Sequence, residues 1–366
     1  IGAGGLPMAG VGAGGLPMAG IGAGGLPMAG VGAGGLPMAG IGAGGTQPPT
    51  AGSPAPGTPM QQVCDTVASF PAPMYNPAEA VDWWENFVRT YTRRVHDSQP
   101  NIMAGQHLRD ELTAAGYQTQ ILELQRGSNT VRVVEGIKRG LTKPDNYLGI
   151  ISHYDVVGNT VQGAYDDGAG VAAAMQICKN LAPVPTNKSI ACLFFDAEEI
   201  GRQGSQQYVA DFVSNGMKKF DHGFGYDMVG LNRPGFADWK LYGFMGYSPA
   251  SQDRAANHKF IEAILFDCQK TGIMTTRPNT EVLTSNNRNS DERSFEEGGV
   301  PVLRFAGGRS ASDYGAWHQP NDTIMNVYSI AGGRPNFVAG MKAAISLSHF
   351  VILGYDQFDT GTVPQL

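Results

Sequence analysis

No charged residue precedes Asp65 in this chain of 366 residues. Glycine dominates that stretch, so it buries too little surface to fold by itself. Cysteine is scarce, four in all, and none has the paired spacing of a zinc–cysteine site. Lys and Arg number 26 against 32 Asp and Glu, a formal charge of −6 with no basic patch, which argues against nucleic acid as a partner. No apolar stretch reaches the length of a membrane span, the nearest being the run at 341–353, so no span is expected. No signal peptide is visible, and because the chain opens on Ile1 its natural start is expected to have been removed.

What is present falls into three parts. Residues 1–45 repeat the decapeptide Ile1-Gly-Ala-Gly-Gly-Leu-Pro-Met-Ala-Gly10 four times, alternating Ile and Val at its first position, and break off after Ile41-Gly-Ala-Gly-Gly45. A flexible tether is one reading of this arm. Regularly spaced Leu and Met between glycines would also let copies from several chains pack as extended strands, so self-association through residues 1–45 is the second; an engineered or surface-adhesive tag is the third. Residues 46–60 form a Pro-rich linker expected to stay extended and semi-rigid. Residues 61–366 suffice for one large domain with a substantial core.

Within that domain, short apolar runs alternate with helical patterns. Residues 147–152, 189–195 and 224–226 read as strands; 78–95, 102–115, 171–178 and 337–353 read as helices. Residues 118–124 and 130–136 read as an antiparallel edge pair. The alternation predicts a single globular α/β domain of three layers, with a mixed, mostly parallel central sheet between helices. Trp83, Trp84 and Phe87 fall at core spacing, and Cys178 and Cys192 read as small buried hydrophobes. Cys64 and Cys268 would be free to pair in an exported protein. Asn187-Lys-Ser189 and Asn321-Asp-Thr323 match the glycosylation acceptor pattern, the second overlapping the candidate site.

Each strand-like run hands over to residues that bind metals. His153 follows the first, with Asp155 two residues on, and the glycine-rich stretch 163–170 then carries Asp166 and Asp167, either of which would serve as a helix N-cap. Glu198 and Glu199 follow the second strand; adjacent carboxylates at such a place are unfavourable unless cations or protons compensate them. Asp227 follows the third, and His318 precedes a turn. Singly these are a surface loop, a cap, a solvated acidic turn and a loop histidine. Together, in this order, they fit one site: imidazole and carboxylate suit zinc, and two metals sharing one carboxylate need five residues.

The segments Ser152-His-Tyr-Asp155, Gly163-Ala-Tyr-Asp-Asp-Gly-Ala-Gly170, Asp196-Ala-Glu-Glu-Ile-Gly201, Tyr226-Asp227-Met, Ser290-Asp-Glu-Arg-Ser-Phe295 and Trp317-His-Gln-Pro-Asn-Asp-Thr323 resemble the M28 family of zinc aminopeptidases. The resemblance spans roughly residues 75 to 355. It implies two Zn2+ ions bridged by Asp166, with His153 and Asp227 completing one site and Glu199 and His318 the other. It further implies Glu198 as general base and then acid, and Asp155 as the partner orienting His153. The implied activity is hydrolysis of the N-terminal peptide bond of peptides by metal-activated water, in a protein secreted to the cell surface or beyond. Two positions depart from the family pattern: Glu292 stands where a Ser-Asp-His motif has histidine, and Trp317 where tyrosine is common. M20 metallopeptidases insert a domain between the fourth and fifth ligands, which the 90 residues between Asp227 and His318 do not accommodate. Glutaminyl cyclases share the fold, but the paired Glu198-Glu199 fits a two-metal peptidase better. The competing expectation is a structural fibre or surface-assembly protein whose peptidase-like domain has little or no activity.

Overall fold

The computed structural model describes residue 57 and residues 59–231, 241–245, 254–264, 268, 280–284, 289–308, 311–359, 363–364 and 366. The repeat arm and nearly all of the Pro-rich linker lie outside these residues, as does the expected role of the arm in self-association.

Eight strands form one sheet: β1 Gln118–Arg126, β2 Asn129–Lys138, β3 Lys143–His153, β4 Lys188–Phe195, β5 Lys219–Tyr226, β6 Leu241–Met245, β7 Thr280–Thr284 and β8 Val302–Ala306. Their order across the sheet is β1-β2-β4-β3-β5-β8-β6-β7. The pairs β4–β3, β3–β5, β5–β8 and β6–β7 run parallel, whereas β1–β2, β2–β4 and β8–β6 run antiparallel, so the sheet is mixed with a parallel centre. The expected antiparallel edge pair is β1 with β2.

The helices are α1 Pro59–Ser69, α2 Pro77–Thr90, α3 Gln99–Ala114, α4 Gly168–Leu181, α5 Gln203–Tyr208, α6 Arg254–Glu262, α7 Asp291–Glu297, α8 Ile324–Ala331 and α9 Arg334–Gln357. Strand β4 explains why they form two layers. It is buried at every position, and because side chains alternate across a strand it serves two cores. Ile190, Cys192 and Phe194 point into a core with α2, α4 and α9; Ala191, Leu193 and Phe195 point into another with Tyr208 of α5 and Phe295 of α7. The three-layer α/β expectation is met.

Three expectations need correction. Cys178 and Cys192 are not free thiols: both are fully buried and joined as a disulfide between α4 and the strand beneath it, while Cys64 of α1 pairs with Cys268. The first pairing was hidden because helix-face and strand-face positions meet only in the packed layers. The second helix stops at Thr90, short of the expected Val95; the chain turns at Arg93, in left-handed conformation with φ 55°, and so delivers Arg94 to the interior. Finally, α9 runs past the 341–353 stretch at both ends, and among the described residues it is the one helix long and apolar enough to cross a membrane. Of its apolar window, 78% is buried in the protein, which is the signature of a core helix.

Candidate active site

Parallel pairing brings three strand ends to one edge of the sheet, where open α/β sheets hold ligands. His153 is the last residue of β3 and lies in register with Phe195, the last of β4; Ile151 is in register with Gly225 of β5. The residues just beyond β4 and β5 are therefore Glu198, Glu199 and Asp227, side by side with His153. Ala197 and Met228, beside these acids, have left-handed backbone with φ 64° and 57°, and so does His318 at 58°. Conformations of this kind, each unfavourable by about 1–3 kcal/mol for a residue with a side chain, persist where surrounding contacts enforce them.

The choice between Asp166 and Asp167 is resolved by hydrogen bonding. Asp167 caps α4: its Oδ1 accepts the N–H groups of Gly170 at 2.9 Å and Met228 at 3.0 Å, and its Oδ2 accepts the Ser152 hydroxyl at 2.7 Å. Glycine at 170 follows from this, since a Cβ there would stand 2.2 Å from Asp167 Oδ1. Asp166, joined to it by a cis peptide, is left to face the histidines. Its Oδ1 lies 3.4 Å from His153 Nε2 and its Oδ2 3.5 Å from His318 Nε2. His318 Nε2 also lies 2.9 Å from Glu199 Oε2.

All seven residues singled out in the sequence converge here. His153, Asp166 and Asp227 offer donor atoms within 4.8 Å of one another, and so do Asp166, Glu199 and His318, the two groups sharing Asp166. Asp155 sits behind them, 3.4 Å from His153 Nδ1, and accepts the N–H groups of Glu198 and Glu199 at 3.1 Å each. Glu198 and Glu199 line a cavity of about 500 Å³ together with Arg202, Asn289, Arg304 and Trp317. Trp317 is 38% exposed and packs on the His318 ring with centroids 4.1 Å apart.

Residues the sequence did not single out hold this arrangement. Asp322, fully buried, accepts the N–H groups of Tyr165 and Asp166 at 2.9 and 3.0 Å and the Tyr314 hydroxyl at 2.7 Å, tying the Asp166 loop to the His318 loop. Arg94 donates to the carbonyls of Tyr91, Tyr154, Gln162 and Gly163, bracketing the loops of Asp155 and Asp166. Arg304 Nη2 stands 3.1 Å from Asp227 Oδ2. Asp322 lies inside the motif at 317–323 but its tie to the Asp166 loop, like the contacts of Arg94 and Arg304, spans residues far apart in sequence and leaves no local pattern there.

Electrostatically the cluster holds more negative charge than it can solvate. Burial raises Glu198 well above the usual carboxylate range, reinforced by Asp291, Asp227 and Glu199 and opposed by His153. Burial and then Asp166 push Glu199 up to about 7 against the His318 hydrogen bond. Burial lowers the proton affinity of His153, but the carboxylates of Glu198, Asp155 and Asp166 outweigh it and hold the imidazole well above its ordinary value. Protons are thus drawn to a place where a multivalent cation would serve instead.

The model of Peptidase family M28 matches residues 132–333. This chain belongs to peptidase family M28. Among M28-like relatives, it is similar to aminopeptidase YwaD of Bacillus subtilis (strain 168), 28% identical over 198 residues that make up 51% of this chain and 39% of that protein. The chain thus spans well under two thirds of that curated relative. In fold it resembles a Zn-dependent exopeptidase from Parabacteroides distasonis, with TM-score 0.59 and 19% identity over 77% of this chain and 99% of the other. It also resembles a glutaminyl cyclase from Bacteroides thetaiotaomicron, with TM-score 0.55 and 14% identity over 76% and 99%. The M28 fold therefore accommodates different chemistries, and the side chains at the sheet edge decide among them.

Proposed function

We propose that this M28 protein is a zinc-dependent aminopeptidase that hydrolyses the N-terminal peptide bond of peptides. One observation carries the reading: two donor groups share Asp166 while a further carboxylate, Glu198, stands in the same cavity outside both. The donor set fits zinc. It consists of imidazole nitrogens and carboxylate oxygens, and Asp227 Oδ1 is a buried acceptor with no hydrogen-bond partner among the described residues. His153, Asp166 and Asp227 would hold one Zn2+ ion, and Asp166, Glu199 and His318 a second. When bound, such ions polarise a carbonyl oxygen and make water a better nucleophile at neutral pH.

The protein's own part is proton traffic and positioning. Glu198 takes a proton from the attacking water and delivers it to the leaving amine as the C–N bond breaks, a role suited to a carboxylate whose proton affinity burial has raised. Asp155 fixes His153 and the backbone under Glu198. The relatives named aminopeptidase and exopeptidase favour attack at a chain end. Two disulfides suit an oxidising compartment, hence secretion or the cell surface. For the arm at residues 1–45 we keep tethering or self-association as its part; light scattering before and after deletion of residues 1–60 distinguishes them, an unchanged particle size excluding assembly.

The test is elemental analysis combined with hydrolysis of aminoacyl chromogens before and after chelation. About two zinc ions per chain with chelator-sensitive turnover is the expected result. A metal-free, inert protein would instead favour a structural role for the domain.

A further inference from the structure

Asp227 is held differently from the other acids of the cluster. Its Oδ2 lies 3.1 Å from Arg304 Nη2, both side chains being 11% exposed, while its Oδ1 is buried without a hydrogen-bond partner among the described residues. The sheet builds this contact. β5 and β8 are parallel neighbours in which Gly225 is in register with Arg304, so Arg304 emerges level with the residue two before Asp227. The absence of a side chain at Gly225 matters: a Cβ there would stand 2.9 Å from Glu292 Cβ and 3.2 Å from Glu292 Oε2. Glu292 of α7 therefore packs over Gly225, on the strand that leads to Asp227.

We propose that Arg304 is a positioning residue for Asp227: it engages Oδ2 through Nη2 and leaves Oδ1 as the one oxygen turned to the His153–Asp166–Asp227 group. This rests on the reading of that group as a zinc site. A guanidinium suits the task because its planar fork fixes direction as well as charge, which an ammonium does not.

The experiment measures zinc stoichiometry and affinity of the full chain by competition with a chromogenic chelator, for wild type, Arg304→Met and Arg304→Lys, alongside kcat and KM. Wild type is expected to bind two ions. Arg304→Met should keep one at wild-type affinity and bind the other about 10- to 100-fold more weakly, as loss of a partner behind a metal ligand does, with kcat falling more than KM changes. Arg304→Lys should fall between the two and rescue part of the loss. Wild-type affinity for both ions in Arg304→Met, or equal weakening of both, overturns the assignment. Should Arg304→Met not fold, wild-type affinity for both ions in Arg304→Lys overturns it alone. A wild-type protein that binds no zinc removes the zinc-site reading itself, and the assignment with it.

Discussion

The carboxylate of Asp155 accepts the backbone N–H of Glu198 at 3.1 Å. Its other oxygen accepts the N–H of Glu199, and the same group stands 3.4 Å from His153 Nδ1. One side chain thus sets a proposed zinc ligand and the proposed proton carrier in a common frame. Asp155→Asn keeps the shape but offers one oxygen where two are used. It is expected to lower kcat about 10- to 100-fold, with Asp155→Ala worse, as for other groups that orient metal ligands. Unchanged kinetics in Asp155→Asn would refute the positioning role.

How far the site could be read in advance depends on how local its signals are. His153, Glu199 and Asp227 lie at or just beyond the ends of buried parallel strands, and such strands are plain in a sequence because both faces are apolar. The order of the strands is less plain: nothing in the run 302–306 announces that it lies beside β5, so Arg304 was not connected with Asp227. Asp166 and Asp167 are adjacent and both fit a cap; only the partners Gly170 of α4, Ser152 of β3 and Met228 beyond β5, which come together in the fold, distinguish them. The Cys178–Cys192 disulfide is hidden in the sequence for a related reason: the burial of each residue is legible, but their juxtaposition depends on which face of α4 meets β4. The end of α2 is not legible because apolar periodicity continues to Val95 while the chain turns at Arg93 to bury Arg94.

Glu198→Gln tests the proton carrier. Glutamine retains the size and accepts a hydrogen bond but cannot carry a proton between water and amine. The variant should bind as many zinc ions as wild type, because Glu198 stands outside both donor groups, and lose about 10²- to 10⁴-fold in kcat. Full turnover in a metal-replete Glu198→Gln would show that some other group moves the proton.

Removing the buried disulfide with Cys178→Ala and Cys192→Ala tests its contribution to the scaffold. The two cysteines are 14 residues apart in sequence, and closing a loop of about that length stabilises by about 3 kcal/mol through the unfolded chain. The bridge also ties the helix that begins after Asp167 to the strand that leads to Glu198, so both ends of the site share it. A lower denaturation midpoint with wild-type zinc stoichiometry is expected. If the midpoint did not move, the loop constraint would be contributing nothing.

His96 provides a test against pH. Its Nδ1 lies 2.8 Å from Oδ2 of the fully buried Asp196, whose Oδ1 accepts from Asn101 and from the Ala197 N–H, at the start of the loop that carries Glu198. The hydrogen bond to Asp196 raises the His96 pKa above its ordinary value, burial opposing. Burial raises Asp196 as well, against the pull of His96, so the two partners do not move in opposite directions as a simple ion pair would. Comparison with His96→Gln isolates the histidine, because Asp196 and its burial are common to both proteins. The sign follows from proton uptake: the folded state binds the His96 proton more tightly than the unfolded chain does. Its contribution is therefore complete below the unfolded value of about 6.5 and fades as pH rises through the folded value. Denaturant midpoints of wild type and His96→Gln, measured at pH 5.5 and 8.5, should differ more at the lower pH. A gap that is equal at both, or wider at pH 8.5, would mean that the imidazole holds this loop in its neutral form.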